Sequence, residues 1–462
     1  MPTKTPIKKI DASSVKKKKD FKTFSEEVGP NLDPRARSMC LKCRGVKKLC
    51  GKEKCPVLVK YYSQLDEEKQ NKFDTDFIEG NSPPAVFIGR YGYPKVNVGP
   101  LVPPEKGDTS IYSQPERWYG KKDINDIVKM RGGLVRGKKR LKTDVKIKNE
   151  DLNRDIEEVR YLTLSKRPAE TEVKFRKRLS ETMRLDGESQ PHGPSAAMES
   201  FRRGSMTGHK QLEKVFYDKD LKSVKGVTKL YNKGVSVSKI QELFMVGGTG
   251  TGKDRKFVPT RWSITAVDDI LGKDLREDIK DYPLVNQYQT YSANYLDNEW
   301  LIILTPESWR YEMIEAFYPE TTWNPSSGSI AIFGDHEEYE GRSDYASIGG
   351  CYYSGRLAIT EKLDQMKRQA GAIVLREAKP GYILPVGVWN VRESIRHALQ
   401  EKPRKFGSRQ EMMNFIDKKM DLSLNQWKSV SRLLNTKRTQ KSLKDFLNNQ
   451  KWSSNTSSSF RT

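Results

Sequence analysis

The chain has 462 residues, with 84 Lys and Arg against 60 Asp and Glu, a formal net charge of +24. Its length excludes a small disulfide-stapled scaffold, and no run approaches the ~18 consecutive apolar residues that a membrane helix needs. Hydrophobic residues make up 35%, against about 45–50% in an ordinary globular chain, so part of the length is expected outside any packed core. With no apolar signal-like stretch at the start, the expectation is a soluble cytoplasmic protein. The charge excess favours polyanion partners, because each cation that neutralises a phosphate releases a counterion.

Residues 1–30 hold few large apolar side chains and the run Lys16-Lys17-Lys18-Lys19. Such a segment cannot offset its ordering entropy and reads as a flexible basic arm. In 31–60 four of the five cysteines stand as Cys40-x2-Cys43-x6-Cys50-x4-Cys55. Four thiolates in two short loops suit tetrahedral Zn2+, with a disulfide pair or an iron–sulfur cluster as alternatives. A closed all-sulfur site has no open coordination position, so its expected role is structural, in folding and recognition.

Two core regions are expected, 61–300 and 301–434. Within the first, 83–104 punctuates apolar and aromatic residues with Gly and Pro, which predicts short strands and tight turns. The cations of 131–140 (Arg131, Arg136, Lys138, Lys139, Arg140), interleaved with Gly132, Gly133 and Gly137, are candidate nucleic-acid contacts; a solvated loop is the alternative. Residues 150–240 read as mainly helical. Gly247-x4-Gly252-Lys253 superficially matches a phosphate loop, but Asp254 stands where a hydroxyl must hold magnesium, so a glycine-rich loop is expected.

The second region mixes strand-like runs at 301–304, 329–333 and 372–375 with a helix over 358–369, which predicts an α+β, mixed α/β core. Asp335, Glu337, Glu338 and Glu340 follow one strand-like run and are low-rank catalytic candidates for holding Mg2+ or Mn2+. Nearby, Arg342, Arg356 and Trp389 are possible phosphate and base contacts. Ser408 and Glu411 form a capping-box pattern ahead of Met412, Phe415, Ile416 and Met420, predicting a helix that caps the core. Four scattered histidines support no nucleophile triad.

Residues 435–462 read as a disordered tail. Within it Gln440, Leu443, Phe446 and Leu447 fit the peptide with which clients dock on the DNA sliding clamp (PCNA), the PIP motif, with Leu447 departing from the second aromatic. A short amphipathic helix packing back on the core is the alternative.

Taken together these segments resemble the archaeal Nre DNA repair family, in particular its NreA type with a clamp-binding tail. The resemblance rests on the cysteine cluster through Pro56, on Ser82-Pro83-Pro84-Ala85-Val86-Phe87-Ile88-Gly89-Arg90-Tyr91-Gly92-Tyr93-Pro94, and on Val258-Pro259-Thr260-Arg261-Trp262-Ser263-Ile264. It continues through Gly349-Gly350-Cys351-Tyr352-Tyr353 and Pro385-Val386-Gly387-Val388-Trp389. It implies a nucleoid-associated factor of the DNA damage response, recruited to DNA by the clamp, with no agreed reaction. A metal-dependent nuclease-like enzyme and an RNA-binding, translation-associated zinc protein are the alternative functions.

Overall fold

The computed structural model describes residues 7–11, 73, 75–144, 154–179, 189–319, 321, 324, 328–382 and 384–436. The cysteine cluster and the clamp-motif residues lie outside them. Two mixed sheets and ten helices among the described residues make an α+β architecture.

β1 is Lys8–Asp11. The first sheet then takes β2 (Phe77–Ser82), β3 (Val86–Ile88), β4 (Lys95–Val102), β5 (Val135–Lys142), β6 (Ala169–Phe175) and β7 (Ser195–Arg203), in the order β2-β6-β7-β5-β4-β3. Only the β5·β7 pairing is parallel. β6 shows why these residues form a half-buried strand: its apolar and charged positions alternate, and so does their burial. The expectation of helix across 150–240 is therefore corrected at β6 and β7. Val96, Val98, Val135, Val173, Phe175 and Phe201 form the core beneath the sheet. α2 (Arg154–Leu162) packs on it through Ile156 and Val159, while α1 (Ile124–Gly132) packs with residues of the second half.

A helical layer follows: α3 (Lys210–Tyr217), α4 (Ser223–Asn232), α5 (Val237–Met245) and the long α6 (Thr260–Lys280). They pack through Leu212, Leu230, Ile240, Leu243, Val267 and Leu271. Gly248 and Gly252 donate to Leu243 O and Lys219 O, and a 3-10 turn, Gly252–Asp254, follows in place of a helix. The glycine-rich loop is thus bonded to its surroundings, and no α-helix starts behind Gly252 as a phosphate loop requires.

The second sheet contains β8 (Tyr288–Tyr295), β9 (Asn298–Thr305), β10 (Arg310–Phe317), β11 (Ser329–Glu337), β12 (Gly371–Ala378) and β13 (Arg404–Phe406). Its order is β1-β11-β10-β12-β9-β8-β13, with β10 and β12 parallel. β9 and β12 are buried along their whole length, which is why 301–304 and 372–375 are unbroken apolar runs: both faces of the sheet are covered. α6, α7 (Gly350–Met366) and α8 (Trp389–Gln400) cover one face, while α9 (Arg409–Lys419) and α10 (Leu424–Lys428) cover the other. Ser408 caps α9 by accepting from Glu411 N, but Glu411 Oε2 accepts from Gly407 N and not from Ser408 N, so only half of the expected capping box forms. Met412, Ile416 and Met420 enter the core and Phe415 packs at its edge. Residues 8–11 depart from the flexible-arm expectation. β1 pairs with the outer edge of β11, and Ile10 packs against the core below.

The halves are joined by apolar contact and by buried charge. Trp118, Ile127 and Val128 pack against Phe317, Leu384 and Trp389, so Trp389 is a core residue and not a surface base contact. Asp268 of α6, fully buried, accepts 3.0 Å bonds from Arg392 on α8, 2.9 Å from Gln241 on α5, and a short one from Ser354 on α7. Removing Arg392 alone leaves a buried carboxylate uncompensated. Arg392→Ala is expected to cost about 3–5 kcal/mol in chemical denaturation. An Asp268→Asn, Arg392→Met pair should lose much less.

Candidate nucleic-acid interface

β3 leads out of the first sheet into a turn, 89–94, before β4 returns. Gly92 sits at φ +82 and Lys95 N donates to Gly92 O at 2.8 Å. A side chain at Gly92 would be strained by that φ and would run into the Arg140 guanidinium. Tight closure of this turn leaves Tyr91 and Tyr93 outside, 59% and 51% exposed. The start of α6 lies beside them: Thr260 Oγ1 accepts from Ile88 N at 2.8 Å, and the Trp262 ring lies 5.1 Å from that of Tyr93. Trp262 is itself 42% exposed. Large aromatics usually pay for their place by burial, so three together in solvent mark a contact surface.

Cations border the rings. The Arg90 guanidinium lies 5.5 Å from the Tyr91 ring centre. The β4·β5 ladder sets Lys95 opposite Lys142 and Asn97 opposite the exposed Arg140. Neither 83–104 nor 135–142 contains an Asp or Glu. Rings that stack on any base and cations that follow a backbone are the two elements of sequence-tolerant binding to single strands.

The five basic candidates divide between this surface and the interior. Arg131 donates to Pro191 O (2.8 Å) and Tyr112 O (2.7 Å), and burial holds its guanidinium down to about 10. Arg136 donates to Asn97 O at 2.7 Å and lies over the Phe87 ring. These two support the fold and do not face solvent, as a phosphate contact must. Lys139 pairs with Asp155 at 3.0 Å. Lys138 and Arg140 stand on the half of β5 that reaches solvent.

The acidic candidates at the end of β11 do not converge. Asp335 pairs with Arg342 at 3.0 Å; burial opposes its ionisation, but bonds from Arg342 and Ser347 N outweigh it, so its carboxyl lies below the usual range. Glu337 is buried, accepting from Trp309 Nε1 (3.1 Å) and Arg356 (2.9 Å), so Arg356 too is an interior cation. Glu338 pairs with Arg310 and Arg432, and Glu340 is exposed. Among the described residues, the acidic group close enough to hold one ion is Glu299, Glu377 and Asp421, which no sequence pattern marks. Lys379 already sits there, 2.6 Å from Glu299 and 2.9 Å from Asp421, while burial pushes Glu377 up to about 7.

Residues 49–324 match the family model described as archaeal Nre, N-terminal, and 337–446 match archaeal Nre, C-terminal. The chain is 39% identical over 409 residues to DNA repair protein NreB of Archaeoglobus fulgidus, covering 88% of this chain and 100% of that one. DNA repair protein NreA of the same organism is 35% identical, with 80% and 90% covered. DNA repair protein NreA of Haloferax volcanii is 33% identical, with 74% and 84% covered. No solved structure matches.

Proposed function

The chain belongs to the archaeal Nre family, and from that premise we propose that it acts in DNA repair by binding single-stranded or unpaired DNA through the Tyr91, Tyr93 and Trp262 surface. One observation carries the reading: three solvent-exposed aromatic rings bordered by Arg90, Lys95, Arg140 and Lys142, the two tyrosines and the four cations lying on segments free of carboxylates. Stacking supplies affinity without sequence preference, and the cations give it salt dependence. Cys40, Cys43, Cys50 and Cys55 hold a structural zinc in this reading, supported by their number and spacing. Gln440, Leu443, Phe446 and Leu447 tether the protein to the sliding clamp, which raises its effective concentration at DNA without new contacts.

Two experiments test these parts separately. In a salt titration of single-stranded DNA binding, Arg140→Ala and Lys142→Ala are each expected to lower the log–log slope by about 0.7. An unchanged slope in both variants removes this face from the DNA contact. In calorimetry with the clamp, the full chain is expected to bind and a Gln440→Ala, Leu443→Ala, Phe446→Ala variant to show no heat. Equal binding by the variant places the clamp contact elsewhere.

A further inference from the structure

A second polar site lies away from the exposed rings, where the helical layer meets the first sheet. Ser165 and Gly208 form an antiparallel bridge, with Lys166 N donating to Thr207 O and His209 N to Leu164 O, each at 2.8 Å. This crossing brings Lys166 and His209 out side by side. Lys239 joins them from the first turn of α5, and a cavity of about 180 Å³ opens between the three, walled also by Ser113, Gln114 and Ser236. We propose that this cavity binds a phosphomonoester.

The chemistry of the wall points to a compact anion. His209 Nδ1 is buried with no hydrogen-bond partner among the described residues. Burial depresses the proton affinity of its ring, and the nearby Lys239 and Lys166 charges depress it further. The Lys166 side chain is exposed at the mouth, beside Gly234 and Ser236. Lys239 is paired with Glu242 at 3.1 Å, and burial lowers its proton affinity. His209 and Ser236 are also the N-caps of α3 and α5, and neither side chain caps its own helix. Glu116 already accepts from Ser238 N at 2.9 Å, so the ligand's donors are the cations and hydroxyls of the wall and not the α5 terminus alone.

Two lysines, an imidazole that offers a ring N–H, and the hydroxyl and amide donors of the wall suit a dianion with three terminal oxygens. A phosphodiester within a strand offers two such oxygens and has chain on both sides, which a cavity of about 180 Å³ accommodates less readily than a chain end. A terminal phosphate or a free monophosphate enters end-on. Pro84 lines the cavity and belongs to the same segment as Tyr91 and Tyr93. Only the strand-end source of the ligand rests on the DNA-binding reading; the anion site does not.

The test follows the imidazole NMR resonances of the full-length protein during titration with inorganic phosphate, with His209→Gln to assign the ring. A saturable shift at His209 that Lys166→Glu weakens about tenfold, the equivalent of one charge-assisted contact, is expected. No shift at His209, or an equal shift in the Lys166→Glu protein, overturns the proposal. The source is then settled by comparing an end-phosphorylated oligonucleotide with its hydroxyl-ended counterpart and a nucleoside monophosphate with its nucleoside. Preference for the phosphorylated strand assigns the pocket to DNA ends, and preference confined to the monophosphate assigns it to a free nucleotide. Inorganic phosphate needs no aromatic surface, so failure here leaves the Trp262 reading standing. Conversely, loss of the DNA-binding reading leaves a phosphate shift intact.

Discussion

The buried carboxylate of Asp268 is the constraint on which the rest of the molecule depends. Stripping a charge of water is costly, and the cost is met only if every lone pair finds a donor in good geometry. Here the donors come from α5, α7 and α8, so the helical layer and the second sheet meet where Asp268 can be satisfied. Apolar packing through Trp118 and Trp389 supplies area, but area alone tolerates sliding. The ionic contact has one geometry, and it fixes the registration of α6 against its neighbours.

That registration reaches the candidate interface. Trp262 stands six residues before Asp268 on the same helix, about 9 Å along its axis. Thr260, at the helix start, accepts from β3, whose outgoing turn carries Tyr91 and Tyr93. A residue with no solvent contact thereby sets where a solvent-exposed indole meets a solvent-exposed phenol. Interior cations serve the same end from below, since Arg136 holds the backbone of Asn97 in the strand behind the turn. The positive charge therefore divides into arginines that build the platform and arginines and lysines that face outward from it.

Much of the framework is legible in the residues. Runs at 301–304 and 372–375 are uninterrupted because helices cover both faces of their sheet, and Ser408 marks the start of α9 by capping Glu411 N. β6 carries an equally clear alternation, Ala-Glu-Thr-Glu-Val-Lys-Phe, which a helical reading of the wider region passes over. The interface is less legible, because exposure is a tertiary property. Nothing local distinguishes Arg136 from Arg140, four residues apart on one strand; the difference is whether a neighbouring ring and carbonyl cover the side chain. The same limit applies to Asp335, Glu337 and Glu338, adjacent in sequence but each drawn to a different arginine.

The central claim is that the Tyr93 and Trp262 rings meet unpaired bases. Its most direct test is the affinity of Tyr93→Ala, Trp262→Ala and the double variant for single-stranded DNA, with thermal unfolding followed in parallel. The account predicts a loss of about 1–3 kcal/mol for each ring removed, in variants that still unfold cooperatively, with a modest lowering of the transition because the half-buried rings pack on one another. Full affinity in a folded double variant would contradict it.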